Sequence, residues 1–101
     1  MNTATDSDVL ALLNLGPISC EWLHAVGIHT RGDLEATGAV EAYAMIRECG
    51  FLPSMHLLYA LEGALRGIRW DKLPREIREG LRLEARSRLR FSRNLPRQST
   101  R

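Results

Sequence analysis

Cys20 and His24 stand four residues apart, the spacing that puts two metal-binding side chains on one face of a helix. A structural zinc site takes four ligands, commonly supplied as closely spaced Cys or His pairs. Cys49 belongs to no such pair, and His29 and His56 are scattered, so two ligands are missing. Both cysteines are therefore expected to be buried, free and small, acting as apolar residues. Ser19 beside Cys20 and His24 offers a nucleophile near a base, but no third group orients the base and no oxyanion site accompanies it. The sequence has neither a nucleotide-binding loop nor a paired-carboxylate site. It is read as a non-enzyme, with no catalytic residue, no metal, no cofactor and no small-molecule substrate.

The arginines carry a different chemistry. Residues 1–65 hold two basic residues against eight acidic ones, whereas residues 66–101 hold twelve basic against four acidic, so the halves carry −6 and +8. Such asymmetry points to an anionic partner, or to the acidic body of another copy. At about 100° per residue, Arg75, Arg78, Arg82, Arg86, Arg90 and Arg93 fall within about 120° of one another if one helix carries them all. Ile77, Leu81, Ala85 and Leu89 form a neighbouring apolar row. Glu79 can pair with Arg75 or Arg82, and Glu84 with Arg88. The remaining like-charge steps cost an isolated helix only about 0.2–0.5 kcal/mol each, which a solvated face tolerates without a partner. Trp22, Trp70 and the isolated histidines are assigned to packing or to solvent.

Turn signals divide the chain into successive helices. The first spans 6–13, with Asp6 or Ser7 as N-cap, and breaks at Asn14-Leu15-Gly16-Pro17. A second, 18–26, stops at Gly27. Thr30 caps a short third, with Asp33 in its first turn, ending near Gly38. The fourth, 39–49, stops at Gly50. Ser54 then caps the most apolar helix, 55–67, which is expected to be central because Leu57, Leu61, Ala64, Leu65 and Ile68 keep helical spacing. Asp71 reads as a cap and Pro74 as a first-turn residue of a final helix, 74–89. Residues 92–101 read as a flexible basic tail beyond a domain of residues 1–91. Strand patterning is nearly absent. The fold class is all-α, a compact domain of about five helices.

The stretch from Leu12 to Ile28 resembles a helix-hairpin-helix motif. Gly16 takes the second glycine of the turn, Cys20 the small position four residues on, Leu23 the apolar position, and Gly27-Ile28 the close. Asn14 replaces the first glycine and can still adopt a left-handed conformation. The resemblance implies hairpin (SAM-like) topology, with the backbone amides of Gly16, Ile18 and Ser19 at a helix start where a phosphate could sit. Ile18 occupies the place where DNA-binding examples often carry Lys, so a hairpin that only packs helices stands as the other reading. A fainter echo lies 22 residues on, with Gly38, Ala42 and Met45 matching Gly16, Cys20 and Leu23.

Leu15-Gly16-Pro17, Trp22-Leu23, Val26-Gly27-Ile28, Asp33-Leu34 and the runs Gly38 to Tyr43 and Leu57 to Gly67 together resemble the TfoX (Sxy) family, with Trp70 and Leu73-Pro74 continuing the pattern. It covers residues 9–90 and matches the C-terminal domain of those regulators of bacterial competence. The resemblance implies a five-helix domain, a stand-alone copy of one half of such a regulator, with a role in competence gene regulation. It supplies no ligand residues.

Three functions follow as expectations. The domain contacts DNA, with Gly16, Ile18 and Ser19 presenting amides and Arg75, Arg78, Arg82, Arg86 and Arg90 supplying charge; or it binds a transcription protein; or it self-associates, basic end to acidic body. The N-terminus is polar and acidic, unlike a secretory signal, and no stretch is apolar enough to span a membrane, so a cytoplasmic protein without membrane contact is expected.

Overall fold

The computed structural model describes residues 8–9 and 12–94, with side chains as far as Arg90. Five α-helices follow one another: α1 Pro17–Ala25, α2 Arg31–Thr37, α3 Ala39–Glu48, α4 Met55–Arg66 and α5 Arg75–Asn94, with a 3-10 turn at Trp70–Lys72 before the last. The chain is all-α, as its periodicity indicates. The helix expected at 6–13 falls largely outside the described residues. Within them Asp8 is extended, forming an isolated antiparallel bridge with Thr30, and the Val9 N–H donates to the His29 carbonyl at 3.0 Å. Val9, buried in the core, pins the chain along the α1–α2 connection and is itself 3-10 helical, its carbonyl accepting from the Leu12 N–H at 3.0 Å.

Local chemistry sets most helix ends. Thr30 and Asp33 form a reciprocal capping box at the start of α2: the Asp33 N–H donates to Thr30 Oγ1, and the Thr30 N–H to Asp33 Oδ2, each at 3.1 Å. After α1, the Ile28 N–H donates to the Leu23 carbonyl at 2.9 Å and the Gly27 N–H to that of His24 at 3.0 Å. This paired closure requires a left-handed residue, which Gly27 supplies at φ 88°. Phe51 and Gly50 close α3 in the same way, on Ile46 and Arg47. Ser54 is the N-cap residue of α4, but its side chain makes no capping bond.

Two ends differ from expectation. Pro74 immediately precedes α5, and Asp71 lies within the 3-10 turn, where it pairs with Arg69 at 3.2 Å instead of capping the helix. α5 continues past Leu89 to Asn94. No Gly or Pro interrupts the sequence until Pro96, and proline disfavours helix at the residue before it. Residues 95–101 of the expected tail lie outside the described residues.

The core is apolar throughout, with Leu23, Leu34, Ile46, Leu58 and Leu61 fully buried. α4 is central, as its pattern predicts, and shares that place with α3, which packs on all four other helices. Ala39, Ala42 and Ala44 keep α3 slim enough for this. The 22-residue echo has a structural counterpart: the Cys20 N–H bonds to the Gly16 carbonyl and the Ala42 N–H to that of Gly38, both at 3.0 Å, with Cys20 and Ala42 buried. Met45, however, is only half-buried where Leu23 is fully buried.

The turn before α1 is fastened to the segment that follows α4 by one side chain. Asn14, left-handed at φ 76°, donates from Nδ2 to the Ile68 carbonyl at 2.9 Å and accepts from the Trp70 N–H at 3.2 Å. The approach is so close that a Cβ on Gly63 would lie 2.6 Å from both Asn14 Nδ2 and the Ile68 oxygen. Arg31 adds a second fastening, donating to the carbonyls of Ala64 at 3.1 Å and Leu65 at 2.9 Å near the end of α4.

Candidate anion-binding surface

The two features expected to attract an anion lie apart. Gly16 is the extended N-cap of α1 and half-buried, Ser19 is half-buried, and Ile18 is 63% exposed. No side chain caps this helix and no acid stands in its first turn, which leaves the backbone dipole unopposed. Pro17 removes one donor at the same place. α1 packs on α3, and none of the grooves lined by the α5 arginines includes an α1 residue. Hairpin and arginines therefore do not form one composite site.

On α5, Arg75, Arg82, Arg86 and Arg90 are exposed, whereas Arg78 is half-buried with its Nε enclosed. Arg75 pairs with Glu79 at 3.3 Å, one of the expected alternatives. Arg75, Arg78 and Arg82 gather around Tyr59 of α4 in a small groove of about 220 Å³. The larger groove, about 640 Å³, lies between α3 and α5 and carries Arg82, Arg86 and Arg90 on one wall, with Arg47 of α3 also lining it. Arg47 and Met55 of this groove were not legible as site residues in the sequence, because only the packing of α3 and α4 on α5 brings them beside Arg86 and Leu89.

Arg88 leaves the expected Glu84 pairing and crosses to α3. Its Nε donates to Glu41 at 2.7 Å and its Nη1 to Glu48 at 2.8 Å, while Nη2 reaches both carboxylates. Glu41 and Glu48 are two helical turns apart on α3, so one guanidinium fork bridges them. This bond holds the Glu41 carboxyl below its ordinary range, and the two glutamates push the Arg88 guanidinium up.

The remaining polar groups serve architecture. Cys20 is buried, and desolvation, with the Asp8 carboxylate as the smaller cause, pushes its thiol up, away from a reactive thiolate. Cys49 is exposed, contrary to expectation, because α3 ends at the surface one residue earlier. The histidines are not isolated: His24 stacks on His29 with centroids 4.8 Å apart and lies 3.5 Å from Asp8, and His56 meets Trp70 edge-on at 4.3 Å. Trp22 stacks on Phe51 at 5.4 Å. Among the described residues no three His, Cys, Asp or Glu side chains are grouped to hold a metal ion, and no helix is long and apolar enough to cross a membrane.

Comparison with known proteins matches this architecture. The TfoX C-terminal domain model covers residues 5–85. An uncharacterized protein from Listeria monocytogenes, solved in a triclinic crystal form, superposes with a TM-score of 0.75 at 34% identity, over 80% of this chain and 92% of that one. A protein of unknown function from the same organism, in a tetragonal form, gives 0.72 at 36% identity, over 77% and 96%. None of the curated proteins matches. With most of its length matched by one domain model, the chain belongs to the TfoX C-terminal domain family.

Proposed function

We propose that this chain is a non-enzymatic, competence-related regulatory domain that acts by holding an anionic macromolecule, DNA or an acidic transcription protein, on the arginine face of α5. The family suggests the regulatory role. One observation carries the contact: Arg82, Arg86 and Arg90 are exposed, gather with Arg47 along one groove, and have no ion-pair partner among the described residues. Guanidinium groups gathered in one groove and left unmatched inside the fold are suited to bidentate bonding by phosphate or carboxylate. The amides of Gly16, Ile18 and Ser19 remain a separate and weaker candidate, lacking a cation beside them on α1.

A titration of the chain with duplex DNA across salt tests this reading. Four arginine–phosphate contacts give a log–log salt slope of about −3 to −4, and Arg82→Ala with Arg86→Ala reduces it by about 2. Absence of binding at low salt to both duplex DNA and an acidic peptide overturns the proposal.

A further inference from the structure

We infer that the α3–α5 groove seats an acidic amphipathic helix of a partner protein, an inference that rests on the anionic-partner reading above and names its partner class. Met55, 36% exposed, and the half-buried Leu89 give the groove its apolar surface, over Tyr43 and Ala85, which are buried in the core. Arg47, Arg82, Arg86 and Arg90 also line the groove, and they set the charge of the occupant. A phosphate backbone would satisfy the arginines and leave Met55 and Leu89 uncovered. A helix with apolar residues on one face and carboxylates flanking them satisfies both.

The dimensions agree. Arg82 to Arg90 is eight residues of α5, about 12 Å of helix rise, which matches two turns of a guest helix and three anchors at i, i+4 and i+7. Met55 stands at the start of α4, at the mouth of the groove. An exposed Met and a half-buried Leu among arginines are the composition of a protein-binding surface more than of a DNA-binding one. Glu48, the carboxylate on the groove wall, is held by Arg88 and repels the guest less for it. A second copy of the chain is a poorer occupant, because Glu41, Glu62, Glu76 and Glu84 line a concave cleft and two concavities do not fill one another.

The experiment measures fluorescence anisotropy of the intact chain with three labelled probes. One is a peptide of about 14 residues with Leu at i, i+4 and i+7 flanked by Glu; the second is its scrambled isomer; the third is a duplex of about 20 base pairs. The amphipathic peptide is expected to bind about tenfold or more tighter than the scramble, and tighter than the duplex. Arg82→Glu with Arg86→Glu should weaken it at least about tenfold, and Met55→Glu, at an exposed site that leaves the fold intact by circular dichroism, about fivefold. Equal binding of peptide and scramble overturns the inference. So does duplex binding that is lost in the double arginine variant but untouched by Met55→Glu, although the anionic-partner reading then survives. Binding of none of the probes overturns both.

Discussion

The two sides of α5 are opposite in charge and unlike in how that charge is used. Toward the start of α3 and the end of α4, Glu76 and Glu84 join Glu41, Glu62 and a single cation, Arg66, around a cleft of about 530 Å³. Two of those four carboxylates are already matched within the fold, Glu41 by Arg88 and Glu62 by Arg66 at 2.6 Å. Toward the end of α3, by contrast, Arg47, Arg82, Arg86 and Arg90 stand around Met55 and Leu89 with no ion-pair partner among the described residues. Charge matched inside the fold fixes helix positions; charge left unmatched is directed outward. The −6 and +8 halves of the sequence do not make this distinction, because Arg88 belongs to the basic half and does structural work.

Substitutions along α5 can break the comparison. The largest effect is expected at Leu81, buried on the acidic-cleft side of the helix. Leu81→Ala removes packed methyl groups and leaves a cavity, costing about 2–4 kcal/mol in thermal or urea unfolding. A loss below about 1 kcal/mol would mean that α5 is only loosely attached to the body.

Arg88→Ala comes next. It strips two carboxylates of one shared partner at a site 25% exposed, for a loss of about 1–2 kcal/mol. The same variant has a pH signature. The folded-state Glu41 carboxyl lies below its ordinary value of 4.5, so its contribution is complete above that value and fades as pH falls through the folded pKa. Acid unfolding of the parent should therefore be steeper below about pH 4.5 than that of Arg88→Ala. Parallel profiles would show that Arg88 does not engage Glu41 in solution. The smallest effect is expected at Arg86, exposed and without an ion-pair partner among the described residues: Arg86→Ala should change stability by no more than about 0.5 kcal/mol while lowering affinity for the anionic probe. Comparable destabilisation by Arg86→Ala and Arg88→Ala would erase the contrast between matched and outward charge.

The hairpin gives a second contrast, between what its residues announce and what they do. Gly16, Cys20, Leu23 and Gly27 mark the turn and the helix that follows; Cys20 and Leu23 are buried and Gly27 is left-handed, whereas Gly16 is extended at φ −103° with open space where a Cβ would stand. Asn14 reads as a substitute for a turn glycine, and its left-handed backbone agrees. Its side-chain amide, however, reaches Ile68 and Trp70 across 54 and 56 residues, and this is why Gly63 stands inside an otherwise apolar helix. Nothing local to either residue signals that bond.

Sequence alone determined the helical class, the ends of α1, α2 and α3, the capping box at Thr30 and the apolar stripe of α4. These depend on backbone dihedrals, on hydrogen bonds three to five residues long and on side-chain periodicity, all written within a single helix and its flanks. It also placed the arginines on one stretch of α5. Tertiary structure decided which of them are free. Arg88 turns to Glu41 and Glu48 instead of its neighbour Glu84, while Arg47 and Met55 join Arg86 and Leu89 at one groove. Those choices depend on how α3 crosses α5, a relation set by the packing of the whole core and by contacts some forty residues apart in the chain.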